Sequence, residues 1–296
     1  MREFQPIQFK VGFSESSDSV PAEFYEAVVP GAVQLDWANA KGKGPYWFGE
    51  NWRDYGFAED MYWHYKAGIY IGDRAGKTPF LSLKGVDYAF DIKINGEMIF
   101  SQEGMFTPVY LSLARWVGTN CDLEIIVYPA PKNLERKKGT SSEADSCCKP
   151  AFNYGWDWSP RLISLGIWDE AYIEYAPETM LESVEIQTDI SDDFTVGMIC
   201  AAIHVSKPLG TISLALLDAA GKIVSQNTAA AKTKLDLTTK LENPKLWWCA
   251  GQGDPYCYTV KVSLLDQNGQ ITDEITRLTG FRRVRLVMNA GAYEGS

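Results

Sequence analysis

The chain has 296 residues and a formal net charge of −10, with 46% apolar and 22% charged residues. This length allows one large domain or two ordinary ones, and the apolar content suffices for a buried core. The acidic balance opposes binding to phosphate backbones and anionic lipid, so we expect no nucleic-acid or membrane partner. No run approaches the ~20 apolar residues that span a bilayer.

The first residues, Met1–Pro6, lack the apolar core of a signal peptide. We therefore expect a cytoplasmic chain, or a periplasmic or secreted one if an export signal has been removed. The two histidines, His64 and His204, lie far apart and no Cys-x-x-Cys pair occurs, so the sequence predicts neither a metal site nor a cofactor. We expect Cys147 and Cys148 to be free thiols in a loop. His64, in an aromatic segment, is open to either a core or a site role.

Strand signals dominate the chain, as runs of Val, Ile, Thr, Tyr and Phe bounded by Gly, Asn, Asp or Pro. Asn95-Gly96, between two such runs, predicts a two-residue hairpin, because both central positions of that turn need positive φ. Helical turns are expected only near Val33–Ala38 and Ser112–Trp116. Strands of the first half are expected at Pro79–Leu83, Tyr88–Ile94, Leu123–Tyr128 and Ala171–Tyr175.

The composition changes at Pro177-Glu178-Thr179, from a part rich in aromatic residues to one rich in Ala, Thr, Val, Leu and Lys. We therefore predict an all-β protein with two domains, residues 1–176 and residues 177–296. The first fits a jelly roll or related β-sandwich, and the second an immunoglobulin-like β-sandwich. Its predicted strands are Met180–Gln187, Gly197–Val205, Thr211–Leu217, Lys222–Ser225, Lys232–Leu237, Tyr256–Leu265 and Ile271–Val287.

The most informative segment, residues 152–161, reads Phe-Asn-Tyr-Gly-Trp-Asp-Trp-Ser-Pro-Arg. Gly155 permits a tight turn, and Pro160 keeps Ser159 out of a helix. Two tryptophans flank Asp157, and flat indole faces beside a carboxylate suit a sugar ring, whose C–H faces stack on aromatics while its hydroxyls need acceptors. The alternative is a buried aromatic corner whose aspartate caps a turn.

Several segments together resemble the β-mannosidase branch of glycoside hydrolase family 2. They follow the family's order over nearly the whole chain: Val29–Val33 with Leu35-Asp36, Asp60–Tyr65, Gly85–Asp87, Asn95–Glu97, Met105–Pro108, Tyr154–Arg161 with Gly166–Trp168, Asn243–Trp248, Tyr256–Tyr258 and Gly280–Arg282. The Tyr154–Arg161 segment is the most specific to the branch. Ser159 departs from the usual glycine, and Cys249 stands where a proline commonly follows the tryptophan pair. The resemblance implies a galactose-binding-like, sugar-binding jelly roll followed by an immunoglobulin-like domain.

Family members carry a (β/α)₈ barrel after these two domains, with two catalytic glutamates, one of which directly follows an asparagine. The present sequence has no Asn-Glu dipeptide and no βα alternation. The resemblance therefore implies that this chain is the non-catalytic front of an enzyme that hydrolyses terminal β-D-mannosides with retention. On that basis we expect no catalytic residue here, and a carbohydrate and the missing C-terminal barrel as partners.

The resemblance also implies roles for individual side chains. It places Trp156 and Asp157 close to the terminal sugar, as an apolar wall and a hydroxyl acceptor. Arg161 is the third candidate for substrate binding, paired with Asp157 or with a carboxylate of the barrel. Trp158 and Trp168 are expected to pack beneath the loop as support.

Other functions remain open at this stage. The chain is alternatively a stand-alone carbohydrate-binding protein, the front of a β-galactosidase or β-glucuronidase, or a structural surface protein made of two sandwiches. The aromatic stretch Tyr46-Trp47-Phe48, with Trp52, is either a sugar platform or packing inside the sandwich or against the barrel.

Overall fold

The computed structural model describes residues 1–289 and 291. It divides into two compact units, which we call the first unit, Glu3–Ala176, and the second unit, which joins Met1–Arg2 to the chain from Pro177 onward. Strands dominate both units, which confirms the predicted all-β class. Within the described residues, no helix is long and apolar enough to cross a membrane.

The first unit is built from short strands with few helical segments. Its strands are β1 (Glu3–Pro6), β2 (Lys10–Ser14), β3 (Tyr25–Glu26), β4 (Tyr62–Ile71), β5 (Lys77–Leu83), β6 (Val86–Asp87), β7 (Ala89–Ile94), β8 (Glu97–Glu103), β9 (Val109–Ser112), β10 (Thr119–Val127), β11 (Gly166–Ile167) and β12 (Ala171–Pro177). The helix α1 spans Val33–Ala40, and 3-10 helices span Asn51–Asp60, Ala114–Trp116, Ser141–Ala144 and Ala151–Tyr154.

Two main sheets enclose the core of the first unit. The six-stranded sheet has the order β3-β2-β4-β10-β7-β8 with antiparallel pairs throughout, and the four-stranded sheet has the order β1-β12-β5-β9. Side chains alternate along β4, so that Trp63 and Tyr65 are fully buried while Lys66 is exposed. Trp63 and Tyr65 belong to one hydrophobic core together with Leu81 and Tyr175 from the four-stranded sheet. The first unit is therefore a β-sandwich.

Several local predictions are confirmed in the first unit. Asn95 and Gly96 have φ of 52° and 81° and connect β7 to β8, as the two-residue hairpin requires. The predicted helical turn at Val33–Ala38 is α1. The turn expected at Ser112–Trp116 is the 3-10 helix Ala114–Trp116. The 3-10 helix Asn51–Asp60 was not predicted, because its aromatic and charged residues show no sustained helical periodicity.

The second unit is a sandwich of two antiparallel sheets. Their orders are β13-β14-β17 and β16-β15-β18-β19. Ile199 and Ile203 of one sheet share a core with Val260 and Val262 of the other. The strands are β13 (Leu181–Ile190), β14 (Val196–Val205), β15 (Thr211–Leu217), β16 (Ile223–Ala230), β17 (Lys234–Glu242), β18 (Tyr258–Leu265) and β19 (Ile271–Thr279).

The predicted last strand, Ile271–Val287, is too long. The strand ends at Thr279, and Gly280 then lies against the ring of Trp247, where a Cβ would stand 2.6 Å from the tryptophan Cβ. The Trp247 N–H donates to the carbonyl oxygen of Phe281 at 2.9 Å. After Thr279 the chain therefore leaves its neighbouring strand and packs against Trp247. The β-propensity of the residues does not indicate where this happens.

A carboxylate is buried on α1 without full compensation. Asp36 is 2% exposed, and its Oδ1 accepts the Val28 N–H at 3.0 Å. Its Oδ2 has no hydrogen-bond partner among the described residues. Burial raises the pKa of Asp36 to about 6, although the Val28 N–H opposes the shift.

We predict that Asp36→Asn removes a pH dependence of stability. The folded-state pKa of about 6 lies above the unfolded value of about 3.9, so the folded chain binds more protons. The free energy of unfolding should fall by about 2–3 kcal/mol between acid and neutral pH in the wild type through this group. Urea denaturation of both proteins at pH of about 4.5, 5.5 and 7 measures the difference. Parallel pH curves would contradict the prediction.

Candidate functional site

The Trp-Asp-Trp segment forms a short β-hairpin, which we call the tip hairpin (residues 153–162). The Leu162 N–H donates to the Asn153 carbonyl oxygen at 2.9 Å. Trp156 and Ser159 then exchange two backbone hydrogen bonds of 3.2 and 3.1 Å. Asp157 and Trp158 are left as the two residues of the turn. At Gly155 the backbone has φ of 124°, a conformation that favours glycine.

The turn presents its side chains to solvent. Trp156 is 52% exposed and Trp158 is 83% exposed. Asp157 is exposed, and its carboxylate accepts no hydrogen bond from any described residue. The alternative of a buried aromatic corner capped by the aspartate is therefore wrong, and this carboxylate and the Trp156 ring are free to contact a ligand.

The support role predicted for the other two tryptophans needs correction. Trp158 does not pack beneath the loop, since it stands at the second position of the turn with most of its side chain exposed. Trp168 does pack, but elsewhere: its Nε1 donates to the Met105 carbonyl oxygen at 3.0 Å, and its ring lies 5.9 Å from that of Phe106. Gly85 sits against the same indole, at a distance that leaves no room for a Cβ.

Arg161 does not pair with Asp157, so that predicted pair is wrong. Its Nε and Nη2 donate to the carboxylate of Glu59 at 3.1 and 2.8 Å, and its Nη1 donates to Glu143 at 2.5 Å. Nη1 also donates to the Tyr154 carbonyl oxygen at 3.0 Å. Both carboxylates are buried. Arg161 therefore anchors the base of the hairpin.

The Glu59 carboxylate joins a second cation to this cluster. Lys132 Nζ lies 2.7 Å from Glu59 Oε1 and 2.5 Å from Asp60 Oδ1. Glu143 in turn accepts the Gly139 N–H at 2.8 Å. Charge-assisted hydrogen bonds thus connect the end of the 3-10 helix Asn51–Asp60, the loop after residue 131 and the tip hairpin.

A further ion pair is buried just before the hairpin. Lys149 Nζ donates to Asp87 Oδ1 at 2.5 Å and to the Ser164 carbonyl oxygen at 2.8 Å. The Lys149 side chain is fully buried. Burial lowers the pKa of Lys149 and raises that of Asp87, in opposition to the attraction between the two charges. The pair fixes the chain two residues ahead of the segment that begins at Ala151.

Sequence reasoning did not identify the buried partners Glu59, Glu143 and Lys149. Glu59 lies 102 positions from Arg161, and no periodicity joins them. The only signal for Glu143 and Lys149 is that the long polar loop before the hairpin contains them. We interpret all three as positioning groups, since they reach the turn only through other residues.

His64 and the aromatic stretch around Trp47, both considered from the sequence, lie outside the tip hairpin. His64 is 2% exposed, with Nε2 at 2.8 Å from Ser14 Oγ and Nδ1 at 3.1 Å from Glu124 Oε1, so it serves the six-stranded sheet. Trp47 and Phe48 are 73% and 72% exposed, which excludes packing inside the sandwich. A sugar platform and packing against the barrel both stay predictions.

The described residues contain no group of three or more His, Cys, Asp or Glu side chains arranged to hold a metal ion. All six cysteines are free, including the adjacent pair Cys147 and Cys148.

The tip hairpin presents a carboxylate and an indole on a base held by ion pairs. This arrangement suits the binding and orientation of a hydroxyl-rich ligand.

Comparison with known proteins gives consistent results for the two units. Residues 10–169 match the family model described as glycosyl hydrolase 2 galactose-binding domain-like, and residues 179–282 match that of glycosyl hydrolases family 2. The β-mannosidase B of Aspergillus oryzae is 27% identical over 302 residues, which cover 95% of this chain and 35% of that protein. The β-mannosidase B of Aspergillus terreus is 28% identical, and the alignment covers 93% of this chain and 34% of that protein. The chain spans about a third of the length of these relatives.

Solved structures share the fold at low sequence identity. The β-D-mannosidase from Dictyoglomus thermophilum aligns with a TM-score of 0.77 at 20% identity, over 97% of this chain and 37% of that one. The β-glucuronidase from Ruminococcus gnavus in complex with D-glucuronic acid aligns with a TM-score of 0.66 at 17% identity. That alignment covers 96% of this chain and 46% of the β-glucuronidase. Since the two family matches together extend over most of the sequence, in the order that the family's domains follow, this chain belongs to glycosyl hydrolase family 2.

Proposed function

We propose that this chain is the non-catalytic front of a β-mannosidase-like hydrolase, and that its tip hairpin completes the pocket for the terminal sugar. The observation that carries the proposal is the free carboxylate of Asp157 beside the half-exposed ring of Trp156, at a turn supported by buried ion pairs. The curated relatives that align over nearly the whole of this chain are β-mannosidases, which supports mannosides over other glycosides as substrates.

The chemistry of such an enzyme divides between this chain and a barrel. Retaining glycosidases need a carboxylic acid that protonates the leaving oxygen and a second carboxylate that attacks the sugar, about 5–5.5 Å apart. We assign both groups to the barrel. In this division Asp157 accepts hydrogen bonds from sugar hydroxyls, and Trp156 stacks on a C–H face. Such contacts increase the rate to the extent that they strengthen in the transition state.

Arg161 belongs to this proposal as a positioning residue. Its guanidinium fills the space between two buried carboxylates, and its bond to the Tyr154 carbonyl oxygen holds the start of the hairpin. A shift of about 1 Å in a binding group can cost about 10²-fold in rate, so a rigid base matters for the turn. We therefore assign substrate contact to Trp156 and Asp157, and anchoring to Arg161.

The fronts of a β-galactosidase or a β-glucuronidase remain as alternative assignments within the family. The structural likeness to the Ruminococcus gnavus β-glucuronidase keeps the second of these open. The curated relatives named above favour the mannoside, and parallel assays with the three aryl glycosides on a protein that carries the barrel decide among them.

We predict that the purified chain alone does not hydrolyse aryl β-mannosides. The reason is that the proposed acid and nucleophile lie outside it. Release of nitrophenol from the 4-nitrophenyl β-mannoside, measured against buffer, tests this. Turnover above buffer that co-purifies with the chain and is lost in Asp157→Ala would overturn the division of labour.

We predict that Asp157→Ala lowers kcat/KM by about 10²-fold in a protein that carries both this chain and the barrel, since hydrogen bonds to a charged acceptor are lost. Asp73→Ala is the matched control, because Asp73 is also an exposed carboxylate but lies in the turn between β4 and β5. Steady-state kinetics with the aryl β-mannoside measure both variants. Equal kcat/KM values for them would remove Asp157 from the site.

We predict that Arg161→Ala destabilises the first unit by about 3–5 kcal/mol, because Glu143 then stays buried without its cation and Glu59 keeps only Lys132. Arg136→Ala is the control: Arg136 pairs with Asp145 at 2.8 Å, but both side chains are well exposed, so we expect less than about 1 kcal/mol. Urea denaturation compares the two. Similar losses would show that the Arg161 cluster does not anchor the hairpin.

A further inference from the structure

A cavity lies at the foot of the tip hairpin, entirely within the first unit. Its volume is about 350 Å³, inside the range of roughly 300–1,000 Å³ that is typical of small-molecule sites. The start of α1 contributes Gln34, the segment before the first 3-10 helix contributes Tyr46, and the arms of the hairpin contribute Asn153 and Ser159.

Three aromatic rings line the cavity, those of Tyr46, Tyr55 and Phe152. Tyr55 is 2% exposed and its hydroxyl donates to the Gly44 carbonyl oxygen at 2.7 Å, so its ring is held in place. Tyr46 packs edge to face on Tyr55, with ring centroids 6.2 Å apart. Phe152 is 55% exposed. These rings offer flat apolar faces on a fixed base.

The polar groups of the cavity divide into engaged and free ones. The Gln34 amide donates to the Ile163 carbonyl oxygen at 2.7 Å and accepts the Leu165 N–H at 3.3 Å, which fixes it. The Asn153 amide and the Ser159 hydroxyl are half-buried and form no side-chain hydrogen bond with any described residue. Both therefore keep donors and acceptors for a ligand.

No charged side chain is among the described residues that line the cavity, although the whole chain carries a net charge of −10. A charged ligand would lose hydration there without gaining an opposite charge, whereas a neutral one loses far less. Aromatic faces combined with an amide and a hydroxyl match a neutral ring that carries hydroxyls on its edge and C–H bonds on its faces.

We propose that this cavity is a second carbohydrate site, which binds one ring of a neutral pyranoside. The ring stacks on the Tyr46 and Phe152 side and exchanges hydrogen bonds with Asn153 and Ser159. This site goes beyond the proposed function, which assigns the sugar to the exposed turn, and it operates in the chain without a barrel.

Isothermal titration of the purified chain with methyl β-D-mannopyranoside tests the site, with methyl β-D-glucuronide as the charged counterpart. We expect millimolar affinity for the neutral glycoside and affinity at least about tenfold weaker for the charged one. No binding of the mannoside at high millimolar concentration, or equal affinity for both glycosides, would overturn the proposal.

Variants locate the binding. Asn153→Ala and Phe152→Ala should each weaken binding about three- to tenfold, the effect of one lost hydrogen bond or stacking contact. Phe152 is largely exposed, so its variant retains the fold and keeps the test valid if Asn153→Ala does not. Asp73→Ala is the matched control, because its exposed carboxylate lies in the turn between β4 and β5, and it should bind the mannoside as the wild type does.

The reverse pattern, in which Asp157→Ala abolishes binding while Asn153→Ala and Phe152→Ala do not change it, refutes the cavity site and leaves the proposed function intact. Unchanged kcat/KM in Asp157→Ala, by contrast, refutes the proposed function and leaves the titration of the cavity unaffected. The two failures are therefore distinguishable.

Discussion

The guanidinium of Arg161 between the carboxylates of Glu59 and Glu143 determines where the tip hairpin stands. The three residues come from the end of a 3-10 helix, from a long loop and from the hairpin itself. Removing Arg161 leaves the buried Glu143 carboxylate without a cation, which costs more than the loss of a single surface contact. The exposed turn can therefore be small and still hold its carboxylate in a defined place.

Charge is distributed unevenly around the hairpin. The ion pair of Lys149 is buried before the hairpin, and the partly exposed guanidinium of Arg161 pairs with two buried carboxylates at its base. The turn exposes one carboxylate, and the cavity at the foot has no charged lining. This separation keeps the strong electrostatic interactions in a supporting role, while the surfaces that face a ligand offer indoles, a carboxylate and neutral polar groups, which suit hydroxyl-rich molecules.

The β-sandwich supplies the rigidity that this arrangement needs. The 3-10 helix Asn51–Asp60 leads directly into β4, whose Trp63 donates to the Ala58 carbonyl oxygen at 3.0 Å. Lys149 is paired with Asp87 of β6. Irregular segments that carry the candidate site are thus tied to strands of the buried core, as binding loops on a stable scaffold commonly are.

Sequence patterns were enough to predict the all-β class, the hairpin at Asn95-Gly96, the helix near Val33 and the family, because these follow from local propensity and from motifs in a recognisable order. They also singled out Trp156 and Asp157. Three features emerged from the folded chain and not from its sequence: Arg161 pairs with Glu59 and Glu143, Trp158 is exposed, and β19 ends at Thr279. Those outcomes depend on which groups meet across long stretches of chain, and the competition among alternative partners is settled by burial and geometry, which leave no periodic trace in a single sequence.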